Sequence, residues 1–269
     1  MSQYRITYIY HDCFLLETEK AVVLFDYWKD PLNKGLKDFP PFLDDIDCRK
    51  PFYVLVSHHH KDHFSRRIFF WHRLFKNIRY IISSDCFKAV RYMFKENSTY
   101  TGEKPPLSSI HVLKEGDVYE DETVRISAFG STDIGNSYVV GIDGRNYFHA
   151  GDLNAWIWKD ESSTEEVEEA LRLYQEKLDA ISREFNEFDV AMFPVDSRLG
   201  TDYFLGASIF VRTFDVKLFL PMHFELVDNP DDKTARRLDT TRFNLYANPS
   251  RGSYLALTAS RDSYFHRDN

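Results

Sequence analysis

The feature that most constrains this chain is a junction. Residues 52–57, Phe-Tyr-Val-Leu-Val-Ser, form an almost uninterrupted apolar run, and His58-His59-His60-Lys61-Asp62-His63 follows without a break. A short apolar run without alternation reads as a strand buried on both faces, inside a sheet covered on two sides. Folds of that kind gather their ligand-binding groups just past the carboxyl ends of the strands, where a rigid element holds them. His58 and His60 are separated by one residue, so in extended backbone both rings project to one side and converge on one ion, while His59 and Lys61 face away. Asp62 and His63 follow as the chain turns, and their offset suits a second ion. One loop can therefore serve two metals.

The flanking sequence tells where this junction sits. Residues 5–10, 13–17 and 21–26 are short β-type runs with polar breaks, a meander. Residues 27–50 carry Pro31, Gly35, Pro40 and Pro41 among charges and aromatics and read as a surface connection. After the histidines come helical periodicity over Arg66–Lys76, a strand over Asn77–Ser83, and a helix capped by Ser84 or Asp85, together a βαβα order. From Ile110 the pattern returns to short strands, a second meander: 111–113, 123–129, 137–143 and 146–151, with Asp143-Gly144 as a hairpin turn. A helix over Ser163–Phe188 opens on a Ser-Thr-Glu-Glu cap. The strand 189–195, a helix over Ala207–Thr213, the strand 216–222 and a terminal helix and strand complete the order. Two packed sheets with helices outside bury such elements, which predicts an α/β (α+β) fold, a four-layer αββα sandwich, as a single domain over residues 1–269.

Composition narrows the partners. A formal charge of −8 disfavours nonspecific binding to nucleic acid. No stretch reaches about 18 consecutive apolar residues, and the first residues lack a basic segment followed by an apolar run, so a cytoplasmic chain with no membrane partner is expected. Cys13, Cys48 and Cys86 have no CxxC spacing and read as small hydrophobes.

His58, His60, Asp62 and His63 complete an HxHxDH pattern, and with it the chain resembles the metallo-β-lactamase fold superfamily of metal-dependent hydrolases. The resemblance extends along the sequence. Gly151-Asp152 matches the later Gly-Asp whose aspartate bridges two metals, His223 matches a final histidine after a late strand, and Asp26 matches a structural aspartate behind the metal loop. The segments Phe14–Glu17, His149–Asp152 and Phe204–Gly206 look most like a branch related to ascorbate-lactone hydrolases. A carboxylate between two cations lowers their repulsion because each oxygen can ligate one of them, which fits Asp152.

One position departs from the pattern. The superfamily normally has a further histidine between the motif loop and the bridging aspartate, and Gly130–Ser137 offers Ser131, Thr132 and Asp133 instead. Three outcomes are open: Asp133 replaces the histidine, His149 reaches in, or the first site is weak and one metal dominates. His149 lies three residues before Asp152, on the opposite face of a strand, so a supporting role is favoured for it. Oxygen in place of nitrogen moves preference from zinc toward manganese or iron.

The resemblance implies one or two divalent transition metals, zinc first, then manganese or iron, and hydrolysis of a small ester, lactone or phosphoester by a metal-activated water that Asp62 orients. The alternatives are a phosphodiesterase or nuclease-like activity on nucleotides or RNA, and a metal-binding sensor without turnover. Trp156 and Trp158 either rim the site or pack beneath a loop. Lys61 and His59 either hold a substrate anion or are solvated surface charge.

Overall fold

Every residue of the strands Val22–Phe25 and Phe52–Val56 is buried, and alternate residues divide between two cores. Val23, Phe25, Tyr53 and Leu55 join one cluster, whereas Val22, Leu24, Val54 and Val56 join another. The period of two is present in the packing although the sequence is apolar throughout, because both faces of the sheet are covered.

The computed structural model describes residues 4–30, 33, 37–158, 160–223 and 263–266. The first sheet begins with the antiparallel meander β1 (Tyr4–Tyr10), β2 (Cys13–Glu17) and β3 (Val22–Phe25). Parallel strands β4 (Phe52–Val56), β5 (Ile78–Ser83) and β6 (Ile110–Leu113) extend it. The helix α1 (Ser84–Val90) follows β5, with Ser83 rather than Ser84 or Asp85 as its cap, its side chain accepting from the Cys86 amide. The second sheet starts with the antiparallel strands β7 (Val118–Glu120), β8 (Arg125–Gly130), β9 (Asn136–Ile142) and β10 (Arg145–His149). After α2 (Thr164–Ser182) the strand β11 (Glu187–Pro194) joins β10 in parallel, and after α3 (Leu205–Thr213) the strand β12 (Asp215–Met222) joins β11. A strand β13 (Ser263–His266) pairs with β1, giving the orders β13-β1-β2-β3-β4-β5-β6 and β12-β11-β10-β9-β8-β7.

The main core lies between the two sheets and continues under α2 and α3, where Tyr174, Leu178, Ile181 and Phe210 reach it. The second core lies on the outer face of the first sheet, under residues 66–73 and α1. The layers are those of the expected αββα sandwich. No helix among the described residues is long and apolar enough to cross a membrane.

Four local expectations are corrected. Residues Arg66–Arg73 form a 3-10 run and not an α-helix: the Ile68 amide bonds the Ser65 carbonyl and the Leu74 amide the Trp71 carbonyl, three residues back, while Ile68, Phe69 and Trp71 are buried against the sheet. The long helix stops at Ser182, where Glu184 and Phe185 amides both return to the Ile181 carbonyl and release Phe188 into β11, a buried strand. The run at 111–113 belongs to the first sheet beside β5 and not to the second meander. The connection at 27–50 is not wholly superficial, since Tyr27, Phe42, Leu43 and Ile46 are buried. The Asp143-Gly144 turn is as read, with φ of 55° and 76° at its two centres. The terminal helix expected after β12 lies outside the described residues.

Candidate metal centre

All the strand ends that matter converge at one end of the sandwich. Asp26 follows β3, Ser57 to His63 follow β4, Asp133 sits between β8 and β9, Asp152 follows β10, Asp196 follows β11 and His223 follows β12. His11 and Asp12 come from the β1–β2 turn.

Asp152 is the hub. One of its oxygens stands 3.3 Å from His58 Nε2, and the other stands 3.1 Å from His63 Nε2 and 3.4 Å from His223 Nε2. On the first side His60 Nδ1 lies 3.0 Å from His58 Nε2 and 3.5 Å from an Asp133 oxygen. His58, His60, Asp133 and Asp152 thus form one group with ligand atoms within 4.8 Å of one another, and His11, Asp12, His63 and His223 form a second.

The buried imidazoles are held so that a chosen nitrogen faces the centre. His63 Nδ1 is 2.9 Å from Asp26, His223 Nδ1 is 3.1 Å from Asp196, and His58 Nδ1 is 2.9 Å from Ser57 Oγ. Fixing Nδ1 fixes the ring and turns Nε2 toward Asp152, the outer arrangement that metal-binding histidines use. Asp26 also accepts from the Ser57 amide at 2.7 Å and from Ser57 Oγ at 2.5 Å. Among the described residues, three of the five non-glycine residues at positive φ are His11, Asp26 and His223, so the site holds backbone in a costly region.

Several atoms aimed at the centre are buried without a hydrogen-bond partner: His63 Nε2, Asp152 Oδ1, His11 Nε2 and both carboxylate oxygens of Asp12. Orphaned donors and acceptors are expensive inside a protein, and a set of nitrogen and oxygen atoms converging in this way is satisfied by a divalent cation. The residues present therefore fit metal, and the His/Asp clusters together with the fold support divalent metal binding.

The other expected residues are placed as follows. Asp62, 37% exposed, faces His11 Nε2 at 3.5 Å and stands beside the two groups. His149 is buried, accepts from the Gly151 amide, lies 2.8 Å from the Asp12 carbonyl and stacks on Phe25, so it supports the β1–β2 turn. Trp156 lies edge-on to His223 with ring centres 5.3 Å apart, while Trp158 is 41% exposed. His11, Asp12 and Asp196 were missed in sequence. His11-Asp12 looks like any polar turn between strands, and only the pairing of β1 with β2 and of β2 with β3 carries it to the site.

The electrostatics are those of a proton-loaded cluster. Burial pulls His63 and His223 down, but for His63 the Asp152 and Asp12 charges outweigh it, and for His223 the Asp12 charge and the Asp196 hydrogen bond do, raising His223 to about 9. Burial pushes Asp152 up, and the His63 charge with the close approach of the His58 and His63 rings more than reverses this. Asp196 is likewise raised by burial but brought to about 2 by His223 and Arg198. The facing His11 ring holds the Asp62 carboxyl below the carboxylate range.

A pH dependence follows for chelator-treated protein. The raised His223 contributes stability that is complete below its unfolded value, roughly 6.5, and lost as pH rises through about 9. The lowered Asp196 contributes above roughly 4 and is lost as pH falls toward about 2. The melting temperature without metal is expected to fall between pH 6.5 and 9, and reloading with zinc or manganese to suppress that fall while releasing protons near pH 7. Thermal scans across pH and proton release into a weak buffer check both.

Gly135 locks the loops together. Its φ is +80°, and a Cβ there would lie 2.1 Å from the Ser57 carbonyl oxygen and 2.5 Å from His58 Cβ. The Asn136 amide bonds that same Ser57 carbonyl at 2.9 Å, so the contact cannot relax without moving the metal loop. Gly135→Ala is expected to cost about 4 kcal/mol or more and to lower bound metal. Denaturant melts and elemental analysis measure the two effects.

A family model described as a beta-lactamase superfamily domain matches residues 5–223. No curated protein matches the chain. Among solved structures, a novel metallo hydrolase, Igni18, from Ignicoccus hospitalis is similar over 99% of this chain and 100% of its own, at 15% identity and a TM-score of 0.62. The metallo-beta-lactamase fold protein YhfI from Bacillus subtilis is similar over 99% and 100%, at 9% identity and 0.61. The diiron beta-hydroxylase CmlA from Streptomyces venezuelae is similar over 99% of this chain and 54% of its own, at 12% identity and 0.63.

Proposed function

We propose, since the chain belongs to the beta-lactamase superfamily, that it is a metal-dependent hydrolase of a small ester, lactone or phosphoester. The observation that carries the reading is the Asp152 carboxylate, one oxygen toward His58 and the other toward His63 and His223. Two ligand groups share it. His58, His60, Asp133 and Asp152 would hold one cation, and His63, His223 and Asp152, with His11 and Asp12 beside them, a second. Bound cations supply Lewis acidity and lower the pKa of water.

The chain's own residues supply the rest. Asp62 is ionised at neutral pH, partly exposed and next to the loop, so its carboxylate accepts a hydrogen bond from the attacking water and orients it. His11 Nε2, 3.5 Å from Asp62, faces that carboxylate and helps fix its position. Trp156, seated on His223 with its indole nitrogen donating to the Asp152 carbonyl at 2.7 Å, excludes water from that side. Asp133 gives the first group two nitrogen and two oxygen donors, a set compatible with zinc, manganese or iron.

The test is reconstitution with each metal followed by a panel of a lactone, a carboxylic ester and a phosphodiester, wild type against Asp62→Ala. Metal retention with turnover of one panel member, lowered about 10²- to 10⁴-fold in Asp62→Ala, is the expected result. Retained metal with equal inertness of both proteins would instead favour a sensor. Cleavage of RNA that falls with salt would favour the nuclease reading.

A further inference from the structure

A cavity of about 560 Å³ lies behind the metal loop, lined by the spacer residues His59 and Lys61, by Lys29, Arg66 and Arg67, and by an apolar wall that includes Trp28 and Phe64. None of the described residues lining it is acidic, in a chain whose formal charge is −8. This is a concentration of positive charge that the metal centre does not use.

The four full cations are only weakly neutralised. Lys29 rests over the Trp28 and Tyr10 rings at 4.2 and 4.5 Å, which leaves its charge in place. Arg66 donates to the Tyr92 hydroxyl, a neutral partner. Arg67 Nη1 faces an Asp38 oxygen at 3.9 Å, beyond hydrogen-bond reach, and is buried with no hydrogen-bond partner. A buried guanidinium nitrogen without an acceptor is costly and marks a place where an oxyanion would be bound. His59, by contrast, is already paired with Asp85 at 3.0 Å.

We propose that this cavity is a phosphate-binding subsite that anchors one end of a substrate whose scissile bond lies at the metal centre. The proposal rests on the hydrolase reading above for its catalytic half, and on the cavity alone for its binding half. The two sites are one loop apart: His59 and Lys61 alternate with His58, His60 and Asp62, and the Trp28 ring that lines the cavity packs edge-on to His11 at 5.8 Å. Two guanidinium groups with two ammonium groups match a dianionic phosphate better than a single carboxylate. Trp28 and Phe64 give an apolar flank, and the volume admits a small molecule, so the substrate class is a phosphorylated compound with an apolar or aromatic body.

The experiment is calorimetric binding of phenyl phosphate, inorganic phosphate and benzoate at fixed ionic strength. It is run on metal-loaded protein, on chelator-treated protein and on chelator-treated Arg66→Gln/Arg67→Gln and Lys61→Gln variants whose melting temperatures have been checked. The expected result is phenyl phosphate binding that survives chelation, exceeds that of benzoate, and weakens about tenfold or more in the double variant and measurably in Lys61→Gln. Binding that disappears on chelation, binding unchanged in both variants, benzoate binding as tightly as phenyl phosphate, or no binding at all would each overturn the subsite. Failure of every ester panel with phenyl phosphate binding intact would sink the hydrolase reading while leaving the subsite standing, so the two failures are distinguishable.

Discussion

Asp152→Asn is expected to strip metal from both ligand groups and to lower turnover on any panel substrate by about 10³-fold or more. The substitution keeps the shape of the side chain and removes its charge. Asp152 faces three imidazoles within 3.4 Å through two different oxygens, so it reaches both groups at once. Its charge is also among the causes that raise His63 and His223, so without metal it holds protons on both rings that a bound cation must displace. Elemental analysis after dialysis, with kinetics at saturating added metal, separates lost binding from lost catalysis. Near-normal metal content would remove Asp152 from the hub position.

Asp26→Ala is expected to be the most damaging single change to stability among the residues around the loop, costing about 3–5 kcal/mol. Asp26 is buried at the end of β3, and it holds the Ser57 amide, the Ser57 hydroxyl and His63 Nδ1 at once. Truncation leaves the Ser57 amide without a partner and His63 Nδ1 facing only the Asp12 carboxylate at 3.3 Å, and the lost bonds to buried groups add their desolvation cost. It also frees the His63 ring to rotate, so metal affinity falls with stability. Asp26→Asn keeps an acceptor for the Ser57 amide, and a smaller loss of stability with a similar loss of metal would assign the charge to the imidazole and the geometry to the amide. Chemical denaturation of metal-free and metal-loaded protein measures both.

The ligand loop was legible because its signals are local. His58 and His60 share a face at a spacing of two, Ser57 ends a strand whose burial shows as an unbroken apolar run, and Asp152 stands at the end of another strand next to a glycine. Local signals failed where geometry is set by partners. The residues after His63 have an apolar period close to a helix's, and the 3-10 run arises from the surface they must cover. The strand at 110–113 has the composition of either meander, and its sheet was decided by a parallel partner, β5.

The sequence by itself determined the doubly covered sheet, the histidine loop at its strand end and the position of Asp152 after a later strand, because strand burial and side-chain spacing are written in residues a few positions apart. Only the tertiary structure decided what completes the ligand groups. Asp133 comes to His60 because Gly135 lets the β8–β9 turn press on Ser57, and His11 and Asp12 arrive because β2, with β1 at its other edge, pairs with β3. Contacts between residues more than a hundred positions apart are fixed by packing two sheets face to face, and no short-range pattern encodes them.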